Sequence, residues 1–164
     1  PTAGLHFDQD LLGRLKDAGV ELVFITLHVG YGTFQPILEE TPQHHRMHEE
    51  HFEITEQAAH RLNAAVREKR RIVACGTTAV RALESAVNED GFVVPQDSDT
   101  SLFIYPPYQF RIVRGLVTNF HLPKSSLLML VSAFGGHEPV MKAYAEAVQC
   151  GYRFYSYGDA MLIL

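Results

Sequence analysis

GLVTNFHLPKSSLLMLVSAFGG, running from Gly115 to Gly136, is the stretch around which the rest of the chain is arranged. Its first part, Gly115–Leu122, has apolar residues spaced as in a buried strand, interrupted by Asn119 and His121. Pro123 stops any ladder because it has no N–H to donate. Ser125 or Ser126 can cap a helix, and Leu127–Val131 is apolar on every side, which predicts a deeply buried helix ended by Gly135 and Gly136. A buried strand feeding a buried helix leaves Asn119, His121, Lys124, Ser125 and Ser126 at the turn between them. Open α/β sheets place ligands at such turns. The segment alone also fits a core strand–helix unit whose polar residues only satisfy the turn.

Outward from this unit, strand and helix patterns alternate. Asp8 can cap a helix with Leu11, Leu12, Leu15 and Ala18 as its stripe, and Val20–Leu27 reads as a buried strand. Residues 36–52 are polar and rich in histidine, an irregular excursion, with a short strand possible at Phe52–Ile54. Thr55 caps the next helix, Arg71–Cys75 is a buried strand, and Thr78–Asn88 is helical. Residues 89–101 read as a turn-rich surface loop, and Leu102–Tyr105 as strand-like. Phe110–Val113 could pair with Leu116–Phe120 across Arg114 and Gly115. Pro139 and Gly151 frame a last helix, and Ala160–Leu164 forms a last strand. The expectation is one α/β domain over residues 1–164 with a largely parallel, helix-covered sheet.

The composition bounds the class. With 164 residues and 46% apolar content, the chain can bury one compact core. Two cysteines, Cys75 and Cys150, make a disulfide framework an unfavourable reading and fit a reducing cytoplasm. No apolar run approaches transmembrane length, so no membrane partner is expected. The chain opens on Pro1 rather than Met, which predicts part of a longer protein, with apolar surface left uncovered. A net charge of −5 does not announce a nucleic-acid binder. The one basic cluster, Arg67–Arg71 with Arg61 nearby, fits a solvated helix end.

Four places could carry chemistry. Cys75-Gly-Thr-Thr78 ends a strand and opens a helix: Gly76 allows close backbone approach, and Thr77 and Thr78 add hydroxyls to free helix N–H groups. Arg81 lies one turn on, and Glu84 shares its face; the pair also fits a plain helix ion pair. His28 ends a strand before a glycine-bearing loop, where imidazole suits base chemistry near neutral pH. The histidines of 44–51 lack H-E-x-x-H spacing, so a metal site there is a minor alternative and no metal ligand is assigned. Tyr152–Asp159 holds four aromatics, which stack on a base or, more often, fill a core. No G-x-G-x-x-G occurs, so Rossmann-type methyl transfer is unsupported.

TNFHLPKSSLLMLVSAF at Thr118–Phe134 also resembles the signature of the S-adenosylmethionine:tRNA ribosyltransferase-isomerases of queuosine biosynthesis. PTAGLHF at Pro1–Phe7, TLHVGYGTFQP at Thr26–Pro36, CGTTAVRALESA at Cys75–Ala86 and YRFYSYGDAMLI at Tyr152–Ile163 agree in order, with a weaker block at His45–Glu50. Tyr31, Cys75 and His137 depart from the pattern. The resemblance implies the α/β part of a two-domain enzyme whose β-barrel domain is absent here. It implies transfer and isomerisation of the ribosyl group of S-adenosylmethionine onto 7-aminomethyl-7-deazaguanine in the tRNA anticodon. Epoxyqueuosine-tRNA forms, and adenine and methionine leave. S-adenosylmethionine is then a substrate and no cofactor is needed; tRNA is the partner, and the full-length enzyme is expected to be a monomer.

On that basis His121 or His28 is the expected base and Glu84 or Asp159 its counterpart. Thr77, Thr78 and Arg81 bind an anion on the Gly76 backbone. Asn119, Lys124, Ser125, His45, His48 and Tyr157 contact substrate. Thr77, Thr78 and Arg81 should then converge with Asn119 and His121. Two other readings stay open: a nucleotide- or RNA-binding piece without turnover, and a metal-dependent hydrolase using the histidine-rich loop.

Overall fold

A computed structural model describes residues 2–30 and 47–164. The chain opens with a short 3-10 helix, Thr2–His6, and α1 (Gln9–Asp17), whose first N–H groups are met by the Asp8 carboxylate accepting from Leu11. There follow β1 (Thr26–His28), β2 (Glu50–Ile54), α2 (Glu56–Arg67), β3 (Val73–Cys75), α3 (Thr77–Ser85) and β4 (Gln96–Thr100). β5 (Gly115–Asn119), α4 (Ser126–Gly135), α5 (His137–Gln149) and β6 (Ala160–Ile163) complete it.

The strands form two three-stranded sheets, β1-β2-β4 and β3-β5-β6. The α/β class expected from the alternating pattern holds, but among the described strands one sheet is antiparallel and the other mixed, rather than largely parallel. Only β3 and β5 run parallel; β6 returns antiparallel to β5, and both pairings of the other sheet are antiparallel. A continuous hydrophobic cluster joins Phe52 and Ile54 of the first sheet to Ala74 and Leu116 of the second, through α2, α3, α4 and α5. α4 meets the expectation drawn from its all-round apolar sequence, since no residue of it is exposed.

Several local expectations are corrected. Val20–Leu27 is not a buried strand: only Thr26–His28 pairs, with Val20 45% and Phe24 73% exposed. The 89–101 loop contains β4, which pairs with β2 through every residue from Gln96 to Thr100. Its sequence QDSDT is poor in strand formers, so backbone ladder bonds rather than side-chain pattern define it. The polar excursion ends earlier than residue 52, because β2 begins at Glu50; residues 31–46, including His45, lie outside the described residues.

The 110–113 stretch makes no hairpin with β5. The buried Glu84 carboxylate takes its N–H groups instead, accepting from Arg111, Ile112 and Val113 at 2.8, 3.1 and 3.0 Å. Leu102–Tyr105 is likewise not a strand, although Ile104 is fully buried.

Candidate active site

The parallel pair β3–β5 fixes the site. Both strands end on the same side, so the start of α3 and the turn after β5 face each other across one sheet edge. Gly76 caps α3 with φ 94°, a left-handed conformation that glycine adopts without a Cβ penalty. No side chain caps the helix there, which leaves its first N–H groups open. On the other side, the Ser125 hydroxyl caps α4 by accepting from Leu128 at 3.1 Å and donates to the Leu122 carbonyl.

Between them lies a cavity of about 230 Å³ lined by Gly76, Thr77, Thr78, Thr118, Asn119 and His121. Ser125, Leu122 and Leu127 close one wall, Thr2, Ala3 and Val29 a second, and Tyr155 and Ser156 a third. No Asp, Glu, Lys or Arg lines it among the described residues, so it is a neutral, hydroxyl-rich chamber. The Thr78 hydroxyl is buried at its edge with no hydrogen-bond partner, a cost of roughly 1–3 kcal/mol unless a ligand meets it.

His121 is half-buried. Its Nε2 lies 2.8 Å from the Thr118 hydroxyl, and its main-chain N–H donates to the Tyr144 hydroxyl at 2.9 Å. Burial pushes the imidazole pKa down to about 4, so the ring is neutral at physiological pH. Asn119 is a clasp: its Oδ1 accepts from the Thr2 hydroxyl at 3.1 Å, and its Nδ2 donates to the Gly158 and Asp159 carbonyls at 3.3 and 3.4 Å. Gly158 is required there, because a Cβ would lie 2.4 Å from the Arg153 carbonyl oxygen.

The expected convergence therefore occurs for Gly76, Thr77, Thr78, Asn119, Ser125 and His121, and not for the other described candidates. Arg81 turns away from the cavity. It is fully buried, bonds the Glu50 carboxylate at 2.6 Å and donates Nε–H to the Leu102 carbonyl, so it is spent on an internal ion pair. Glu84 is equally committed to the 111–113 backbone. Beside it, burial and then the Glu84 charge push the Tyr108 hydroxyl up to about 12.

His28 is exposed, with its ring 5.4 Å from that of His51, and only its neighbour Val29 reaches the cavity. His51 itself bridges Asp97 and Asp99 at 2.6 and 3.0 Å. The Asp159 carboxylate accepts from the Arg153 backbone and guanidinium, which hold its pKa below the usual range. Lys124 and His48 are exposed and outside the cavity, and Tyr157 is 88% exposed. Sequence reasoning missed Thr118, Thr2, Val29, Tyr155 and Ser156. For Thr118 a signal existed: a hydroxyl inside a strand otherwise reading as core, three residues before a histidine.

The pattern of the queuosine biosynthesis proteins matches residues 1–163. A Desulforamulus reducens protein named S-adenosylmethionine:tRNA ribosyltransferase-isomerase is 56% identical over the whole chain, which covers 48% of that protein. A Thermus thermophilus protein of the same name is 58% identical, again over all of this chain and 47% of its own length. The crystal structure of a Thermotoga maritima S-adenosylmethionine tRNA ribosyltransferase superposes with a TM-score of 0.78 at 44% identity, over 99% of this chain and 51% of that one. The chain thus spans about half the length of the curated relatives it matches. With the whole chain matched at this level of identity, it belongs to the family of queuosine biosynthesis proteins.

Proposed function

We propose that this chain carries the S-adenosylmethionine-binding part of a tRNA ribosyltransferase-isomerase, and that the cavity between α3 and the His121 turn holds the methionine end of that substrate. The observation that carries the reading is the unpartnered Thr78 hydroxyl beside the uncapped N-terminus of α3. Two or three backbone N–H groups and one hydroxyl suit a carboxylate, and the helix dipole favours its charge. A volume of about 230 Å³ is below the range of sites that enclose a whole drug-sized ligand, so it fits one end of the substrate.

The reaction needs a base for the carbon next to the sulfonium. Positive sulfur makes that proton more acidic, and the electron pair left on carbon is stabilised beside it. His121 is the group positioned for this, neutral and oriented by the Thr118 hydroxyl. The proton passes from carbon to the imidazole and its electron pair stays beside the sulfonium. Adenine departs with the electrons of its glycosidic bond and methionine with those of its C–S bond, while the acceptor amine of the tRNA base forms the new C–N bond and gives up a proton. Asp159 and Glu84 lie off the cavity lining, so the acid that assists adenine is not drawn from them in this arrangement.

The test is Thr78→Val in the full-length protein, a change of nearly equal shape that removes the hydroxyl. Hydrogen bonds to charged groups contribute about 1.5–3 kcal/mol, so the dissociation constant for S-adenosylmethionine should rise roughly ten- to a hundredfold. The melting temperature should stay or rise, since an unmet buried hydroxyl is removed. Unchanged affinity in a folded variant would remove the carboxylate from this cavity.

A further inference from the structure

The end of the β3–β5 pair away from the cavity carries a groove whose charged lining residues are all cations. Lys69, Arg70, Arg71, Arg111 and Arg114 line it, with Val66, Ile72 and Ile112 as its floor, and no carboxylate takes part. These five come from the 14 Lys and Arg residues of a chain whose net charge is −5.

The local chemistry keeps most of that charge uncompensated. Arg70 is neutralised by Glu21 and Glu68 at 2.6 and 2.7 Å. Arg111 and Arg114 instead donate to carbonyl oxygens, Arg111 to those of Val87 and Asn88, Arg114 to those of Phe110 and Arg111. Those bonds hold the guanidinium groups in place without cancelling their charge. Lys69 and Arg71 are exposed and make no ion pair among the described residues. A fixed pair of guanidinium groups flanked by two free cations is suited to consecutive phosphates, with Arg contributing planar, directed donors and Lys a point charge.

We infer that this groove is a docking surface for the phosphate backbone of RNA. The inference rests on the proposed tRNA-modifying role and adds to it the face on which the RNA lies. Gly115, Leu116 and Val117 of β5 separate Arg114 from Thr118 in the cavity lining, four residue steps or about 14 Å at 3.4 Å per residue. That distance is about four stacked nucleotides, so an anticodon arm with one base outside the mouth of the cavity has phosphates within reach of the groove.

The experiment is the double variant Lys69→Asn, Arg71→Gln in the full-length protein, titrated with an unmodified tRNA transcript over a range of salt. Asparagine is chosen because Lys69 has φ 56°, which asparagine tolerates. Each phosphate contact contributes about 0.7–0.9 to the slope of log affinity on log salt, so losing two should flatten it by about 1.4–1.8. At 0.1 M salt that is a loss of roughly twentyfold or more in affinity. The thermal shift given by S-adenosylmethionine is measured on the same samples and should not move. Wild-type affinity and slope in the variant overturn the groove and leave the ribosyl-transfer reading standing. Loss of the S-adenosylmethionine shift in the wild type would count against that reading separately. Binding to vesicles of anionic phospholipid, with no salt-dependent binding of tRNA, overturns the RNA assignment in favour of a lipid surface.

Discussion

At His121 burial, a hydroxyl partner and the cavity meet on one ring. Its low pKa sets two expectations. A base whose pKa lies near 4 is poorly matched to neutral pH, so its contribution belongs at the low end of general-base catalysis, about a hundredfold. His121→Ala in the full-length protein should lower adenine release by about that factor per folded molecule. His28→Ala, whose ring is exposed and lies tilted against His51 instead, should leave it within a few fold. A destabilised but active His121→Ala would transfer the role to His28.

The second expectation is thermodynamic. An unfolded histidine binds its proton near pH 6.5, whereas the folded one resists until about pH 4. Between those values the unfolded chain holds more protons, so stability falls as pH drops through the window, by at most about 1.4 kcal/mol per pH unit. Denaturant titrations of wild type and His121→Gln should diverge between pH 6.5 and 4 and run parallel above it. His121, Asn119 and the threonines after Gly76 were legible in the sequence because each interrupts or ends an apolar strand pattern. Tyr155 and Ser156 were not, since a turn with Tyr155 at φ 72° has no periodicity to read.

At the scale of elements, α3 shows why residue type is not role. Arg81 and Glu84 look like site residues on sequence, one turn from a glycine-threonine helix start. Helix geometry carries them round to the inner side, where Arg81 meets Glu50 of β2 and Glu84 meets the 111–113 backbone. No local pattern announces a carboxylate standing in for a strand partner, so the supposed hairpin at 110–120 and the supposed catalytic role of Glu84 share one cause of error. Arg81→Ala leaves the buried Glu50 carboxylate without its guanidinium and should cost about 3–5 kcal/mol in unfolding free energy. Glu50→Gln with Arg81→Met should recover much of that loss, because hydrophobic replacement of a buried pair is often neutral. If Arg81→Ala instead weakened S-adenosylmethionine binding at unchanged stability, the guanidinium would belong to the cavity.

At the scale of the molecule, the helices and the β3–α3 and β5–α4 units were readable because capping residues and 3.6-residue stripes mark them locally. The sheet's mixed character was not, since whether β6 returns parallel or antiparallel is settled by the packing of α4 and α5, far from its own four residues. One face of the β3-β5-β6 sheet also stays open: Val73, Leu162 and Leu164 are 45%, 59% and 70% exposed, while Leu116 and Ala74 on the opposite face are buried.

The Asn119 clasp has a consequence for how the chain acquires its affinity. The bond from Thr2 joins residues 117 positions apart, and the same amide fastens the turn at Gly158 and Asp159. Without those contacts the α3 start and the histidine turn keep only the wall made by Leu122, Ser125 and Leu127. The closed chamber exists only while both ends are fastened to Asn119, so a ligand held there adds its binding free energy to that closure.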